Sequence, residues 1–332
     1  MPSPAPMPAG RPLPVHVGTL LVEVTRSGFV ESVHHGSVIA LDGEGKSVVD
    51  VGDTVLPVLP RSSSKPMQAL ASLRSGLEVD EADLAQICAS HRGEPMHIAR
   101  VLALLARFDL TEDDLQCPPD LPGNDSARSD VIRAGGGARR VYMNCSGKHA
   151  GMLAACVTNG WPTRSYRDPD HPLQQRIRAT IEELARERVA ADGVDGCGAP
   201  VLAISLSGLA RAFTAFTAAP PGTELRRIAD AMRARPELVA GTGEPDTVLM
   251  SDVPGLLMKG GAEGVHAAAL PDGSAVALKI ADGSARARMP VLAAALERLG
   301  VPAERLAAVA RVDTYGAGQP VGRVRLLDRV LN

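Results

Sequence analysis

The stretch Pro60-Arg61-Ser62-Ser63-Ser64-Lys65-Pro66, followed by apolar residues at Met67, Leu70 and Leu73, is the place from which the rest of this chain can be read. It closes a short extended run, Val55 to Leu59, and opens a helix. Serines suit the cap of a helix, and Pro66 suits its first turn, where the missing N–H would have had no partner anyway. Ser62 and Lys65 are three residues apart near the helix start, so hydroxyl and amine can share a face. The positive field of a helix N-terminus favours an alkoxide and a deprotonated amine. A free lysine is only about 0.04% neutral at pH 7, but burial can lower an amine by several units and turn it into a base. Pro66 also lacks the N–H that would bond back to Ser62, which predicts an irregular or 3₁₀ turn.

To the N-terminal side, Val17–Thr25 and Phe29–Leu41 alternate apolar and polar residues around Ser27-Gly28, the pattern of a β-hairpin. To the C-terminal side the chain turns helical. Asp80–Ala89, Pro95–Phe108, Lys148–Thr158, Pro172–Ala190 and Leu225–Arg235 have helical spacing, with glycine-rich breaks at 135–137 and 193–198. Val201–Leu206 reads equally as a strand or as the start of a buried helix. The last third returns to strands at Val265–Leu270, Ala275–Ile280 and Ala308–Val312, with a helix at Met289–Leu299 and a turn at Pro271-Asp272-Gly273. This order predicts an α+β fold. N- and C-terminal strands share an antiparallel sheet, with helices on its faces and a helical subdomain at roughly 80–190. No internal repeat or clear linker interrupts it, so 15–332 is expected to form one domain behind a Pro-rich tail at 1–14.

Composition narrows the function. The 332 residues include 45% apolar and 22% charged residues, an ordinary soluble balance. Aromatics at 2% and a net charge of -3 argue against nucleic acid, which asks for stacking platforms and basic patches. No apolar run approaches the roughly 20 residues that span a bilayer. The N-terminus shows no apolar core of a secretory signal, and five cysteines are an odd number, so reduced thiols in a cytoplasm are expected. Only five of the 35 basic residues are lysines: Lys46, Lys65, Lys148, Lys259 and Lys279. Arginine stays protonated, whereas a lysine amine can be neutralised, so a retained lysine can mark chemistry. Lys65, Lys148 and Lys259 each lie beside Ser, Cys or Gly clusters.

Other constellations stand beside Ser62-x-x-Lys65. A single Ser-x-x-Lys arises once or twice by chance at average composition, often as a capping serine with a solvated lysine; lysine scarcity makes this one less expected. Cys88-Ala89-Ser90-His91-Arg92-Gly93-Glu94 follows a predicted helix, and alone could be a polar loop. Leu257-Met258-Lys259-Gly260-Gly261 places a lysine on a strand ending in glycines, which admit close approach of a ligand. The three occur in the order of the serine β-lactamase and penicillin-binding fold, without Ser-Asp-Asn and with Gly260 in place of Thr or Ser. Asn144-Cys145-Ser146-Gly147-Lys148-His149 and Asp195-Gly196-Cys197-Gly198 bring thiols, an amine and an imidazole, the donor types of a soft metal site such as zinc. Buried free thiols are the alternative, and lysine is an unusual ligand because the metal must displace its proton.

Taken in order, these five motifs resemble the Rhizobium-type L-asparaginases, the asparaginase II family, over roughly residues 16–330. The resemblance implies a serine β-lactamase- and glutaminase-like fold, a homodimer, and hydrolysis of L-asparagine to aspartate and ammonia. It implies two Ser-Lys pairs, Ser62 with Lys65 and Ser90 with Lys259. It also implies zinc held by Cys145, Lys148 and Cys197 near Asp195, helpful for substrate affinity and dispensable for bare turnover. Met67 replaces an aromatic beside the nucleophile, and the N-terminal tail carries no family motif. On this reading Ser62 attacks, neutral Lys65 takes its proton, and Ser90 and Lys259 relay a proton to the leaving ammonia. Arg61 and His91 are candidates for the substrate α-carboxylate, and Asp195 is expected to bind substrate as well. A β-lactamase or penicillin-binding-like amidase, and a non-catalytic zinc-binding protein, are the alternatives.

Overall fold

The structure, a computed structural model, describes residues 16–331. The Pro-rich tail expected at 1–14 lies outside them. The chain opens with strands β1 (Thr19–Arg26), β2 (Phe29–Leu41), β3 (Ser47–Val51) and β4 (Pro57–Val58). Helices α1 (Lys65–Arg74), α2 (Glu81–Ile87), α3 (Pro95–Ala106), α4 (Asp125–Arg133), α5 (Ser146–Thr158) and α6 (Pro172–Ala185) follow. Next come β5 (Ala191–Val194), β6 (Pro200–Ser205), α7 (Leu206–Ala218), α8 (Glu224–Ala234), α9 (Pro236–Val239) and α10 (Pro245–Asp252). The chain ends with β7 (Leu257–Gly260), β8 (Val265–Ala269), β9 (Ala275–Ile280), α11 (Arg288–Arg298), α12 (Ala303–Ala310), β10 (Val312–Gly316) and β11 (Gln319–Leu326).

The α+β expectation holds. The main sheet runs β10-β11-β1-β2-β9-β8-β7, with β3 also paired to β2, and every pairing is antiparallel. N- and C-terminal strands meet twice, at Val22–Leu326 and along Gly36–Ile280 to Leu41–Ala275. β2 can do this because it is long: its first half pairs with β1 and its second with β9. Consecutive residues of β8 and β9 are buried, so both faces of these strands are covered. α7 and α11 are the main helices packed on them. A second, small sheet joins β4, β6 and β5.

Local chemistry explains most boundaries. Asp80 caps α2 by accepting from Asp83 N, and Ser205 caps α7 by accepting from Gly208 N. Ser205 resolves the ambiguity at 201–206: the segment is a strand up to the cap and a helix from Leu206. α7 has Phe213 and Phe216 fully buried, edge to face, with centroids 6.5 Å apart. It is buried along most of its length, with Arg211 and Thr214 at part-exposed positions.

Three predicted elements need correction. The helix expected to reach Ala190 stops at Ala185; Arg186 turns left-handed at φ 55 and the chain enters β5. The strand expected at 308–312 is the end of α12, whose apolar Leu306 and Val309 pack inward at helical spacing, and β10 begins only at Val312. The extended run at 55–59 contributes only Pro57–Val58 as strand.

Deleting the fully buried Phe213 ring should leave a cavity in the core around α7. Phe213→Ala is expected to cost about 3–5 kcal/mol, read as a lowered midpoint in chemical denaturation.

Candidate active site

The sequence around Ser62 folds as its proline demands. Residues Arg61–Ser64 form a 3₁₀ turn leading into α1. The bond to the Ser62 carbonyl comes from the N–H of Lys65 instead of residue 66, because Pro66 has none. Arg61 sits at φ 51, a costly conformation for a residue with a side chain. The turn is tied to β7: Ser63 Oγ donates to Lys259 O at 2.8 Å, and Ser64 Oγ donates to Arg61 O at 2.8 Å. Gly261 makes this possible, since a Cβ there would stand 2.6 Å from Pro60 O and 3.1 Å from Ser63 Oγ.

Ser90 follows α2 on a loop held by Ser90 N to Val239 O at 2.9 Å. Its Oγ lies between two buried amines. Lys65 Nζ is 2.9 Å away and Lys259 Nζ 3.0 Å. Lys65 also donates to Ala89 O, and Lys259 to Gly260 O at 2.8 Å. The expected bond between Ser62 and Lys65 is therefore not made: the Lys65 amine is spent on the Ala89–Ser90 loop. The expected Ser90–Lys259 contact is present. Burial first, then the nearby Lys65 charge, push the Lys259 amine down to about 7.

Ser62, Ser90 and Lys259 open onto one pocket of about 260 Å³, whose wall also includes Arg92, Asp246 and Arg288. Asp246 is buried at the start of α10, where its Oδ2 accepts from Gly260 N at 2.9 Å and its Oδ1 faces His266 Nε2 at 3.3 Å. Burial opposes its ionisation, but His266, Lys259 and Arg288 outweigh that and keep its carboxyl well below the usual range.

The sequence candidates for a substrate carboxylate are otherwise engaged. Arg61 Nε donates to Asp195 Oδ1 at 2.7 Å. His91 is buried behind the pocket, with Nε2 at 2.8 Å from Ser146 Oγ and Nδ1 accepting from Gly93 N at 3.1 Å. Burial, reinforced by His97 and the Lys65 charge, pushes the His91 imidazole well down. Asp246 and Arg288 were not found from sequence. Asp246 follows a glycine-rich acidic loop, Gly241-Thr242-Gly243-Glu244, which is a usable signal; Arg288 has none among so many arginines.

Beside the pocket lies the sulfur cluster. Gly147 lets α5 approach α2, since a Cβ there would stand 2.2 Å from Gln86 O. Cys145, Lys148 and Cys197 are all buried, and Lys148 Nζ donates to Cys197 Sγ at 3.0 Å. The hydrogen bond with Cys197, against burial and aided by the Lys65 and Lys148 charges, holds the Cys145 thiol well below its ordinary value, while Cys197 is pushed up. All five cysteines are free. Among the described residues, no group of three or more His, Cys, Asp and Glu is placed to hold a metal. The donor set would be complete only with the Lys148 amine, and two soft sulfurs with one nitrogen fit zinc by chemistry.

The chain matches the L-asparaginase II family over residues 22–326. It belongs to that family. The match covers all five motifs and nearly all of both sheets. No functionally curated protein matches the chain in sequence. Among solved structures, the native form of Mglu is similar with TM-score 0.44 and 14% identity, over 81% of this chain and 65% of that one. A β-lactamase from Mycobacterium bovis is similar with TM-score 0.40 and 14% identity, over 82% and 89%. EstCE1, a hydrolase with promiscuous acyltransferase activity, follows with TM-score 0.39 and 11% identity, over 89% and 93%. The chain spans less than two thirds of the Mglu length. Likeness at this level identifies no activity.

A depressed Lys259 makes a signed prediction. Between about 7 and the ordinary 10.5 the folded amine is neutral and the unfolded one charged, so the unfolded chain binds the extra proton. The cost of burying this amine therefore falls as pH rises through that window. Lysine-selective ¹³C NMR should show one amine titrating near 7, absent in Lys259→Met. The stability difference between that variant and the parent should shift in favour of the parent from pH 7 to pH 10.

Proposed function

We propose that this member of the L-asparaginase II family hydrolyses the side-chain amide of L-asparagine to L-aspartate and ammonia, with Ser62 as nucleophile. The observation that carries the reading is the hydroxyl of Ser90 held between the Lys65 and Lys259 amines at 2.9 and 3.0 Å, on the pocket that Ser62 lines. Ser62 Oγ bonds to the amide carbon and the C–N bond breaks, leaving an acyl-enzyme. The Ser62 proton enters the Lys65–Ser90–Lys259 relay and leaves on ammonia; water then releases aspartate. We assign the acceptor role to Lys259 in place of Lys65; the reading is supported by the Lys259 amine, pushed down to about 7 and 3.0 Å from Ser90 Oγ, which suits it to accept a proton near neutral pH. Lys65 supplies positive charge that helps keep Lys259 neutral.

One observation favours a second reading. Ser90, not Ser62, is the hydroxyl in direct contact with the amines, which is the arrangement of an activated nucleophile. Trapping the acyl-enzyme and mapping the modified peptide separates the two. With Ser62 as nucleophile, Ser62→Ala loses on the order of 10³-fold or more in turnover and takes no acyl group, whereas Ser90→Ala still acylates slowly. The reverse pattern would reassign the nucleophile. Ammonia release from asparagine and glutamine side by side tests the substrate.

Cys145, Lys148 and Cys197 are the residues that would hold zinc. Bound there, the metal would supply fixed positive charge beside the pocket that orients the substrate. Cys145→Ala should lower zinc content, measured by mass spectrometry, and raise KM while kcat changes less. Metal lost with KM unchanged would remove the metal from substrate binding. Sedimentation of the full chain tests the homodimer.

A further inference from the structure

The pocket holds more charge than amide hydrolysis uses, and most of it is already paired. Arg92 Nε lies 2.9 Å from Glu244 Oε1. Both oxygens of Asp246 are taken, by Gly260 N and by His266. Arg92 Nε, although ion-paired, makes no hydrogen bond, and Arg288 goes further: among the described residues no carboxylate lies within ion-pair distance of it. Its side chain enters the pocket wall from the first turn of α11, and Nη1 donates to Gly261 O at 2.8 Å. That bond anchors the guanidinium against the glycines after Lys259. Its Nε is buried with no acceptor, and among the described residues none accepts from Nη2. An unpaired buried donor costs free energy until a partner arrives. Nε and Nη2 form one edge of the planar fork, the edge that takes a carboxylate with two parallel bonds.

The side-chain amide at the reacting centre is neutral, so it does not need this edge. The anion an α-amino acid brings is its α-carboxylate. We propose that Arg288 receives the substrate α-carboxylate and thereby selects amino-acid amides over plain amides. This rests on the amide-hydrolase reading above. It replaces Arg61, whose guanidinium is committed to Asp195, and His91, which lies behind the pocket. Arg288 is a substrate-binding residue that fixes the distance between carboxylate and scissile amide. It takes no part in proton transfer.

The test compares L-asparagine with 3-aminopropanamide, the same amide without its carboxylate. Arg288→Gln should raise KM for asparagine on the order of ten- to hundredfold, the worth of a charge-assisted hydrogen bond, with a smaller change in kcat. It should lower kcat/KM for 3-aminopropanamide far less than for asparagine, so the preference for asparagine collapses. Arg288→Lys keeps the charge without the fork and should fall between. Unchanged KM and unchanged preference in Arg288→Gln overturn the proposal. Should that variant fail to fold, the parent protein answers: phenylglyoxal modification of Arg288, mapped by peptide mass spectrometry, should be slowed by L-aspartate, and equal rates with and without it overturn the proposal. A parent protein that releases no ammonia from asparagine sinks the amide-hydrolase reading instead, and protection of Arg288 by L-aspartate then decides the carboxylate site by itself.

Discussion

Three lysines with side chains almost wholly removed from solvent, Lys65 at 1%, Lys148 at 2% and Lys259 at 2% exposed, set the terms for this site. Burying an ammonium is expensive unless it is paired or neutralised. The fold meets the constraint differently for each. Lys65 is given a carbonyl and a hydroxyl, Lys148 the sulfur of Cys197, and Lys259 is driven towards neutrality. The reactivity of the site follows from this charge arrangement. The amine driven towards neutrality and the hydroxyl between two amines both follow from lysines held in a dry interior.

Holding them there requires both ends of the chain. Lys65 comes from the helix after the N-terminal strands, Lys259 from a C-terminal strand, and Ser90 and Lys148 from the helical middle. The antiparallel sheet brings the ends together through β2 and β9, and the Ser63–Lys259 hydrogen bond ties the 61–64 turn to that sheet. A change that loosens β7 therefore moves Ser62 as well, which couples the packing of the sheet to the geometry of the pocket.

The site was partly legible in advance. Ser62, Lys65, Ser90, Lys259, Cys145, Lys148 and Cys197 all sit in short motifs with unusual residue types, and the scarcity of lysine made three of them conspicuous. The pairing among them was not legible. A Ser-x-x-Lys spacing permits a contact between Ser62 and Lys65, yet the Lys65 side chain turns to Ala89 and Ser90, residues 24 and 25 positions away. Arg61 and His91 looked available because adjacency in sequence says nothing about Asp195 or Ser146 arriving from elsewhere. Arg288 was invisible because one arginine among many carries no mark until its surroundings are known.

Local chemistry therefore determined the turn at Pro66, the hairpins, most helix starts and the α+β order of elements, because caps, prolines and apolar spacing act over a few residues. Only the tertiary structure decided where α7 runs, which amine is driven neutral, and which arginine faces the pocket with an open edge. Those outcomes depend on burial and on partners distant in sequence, and the free energy of a charge is set by its surroundings in space.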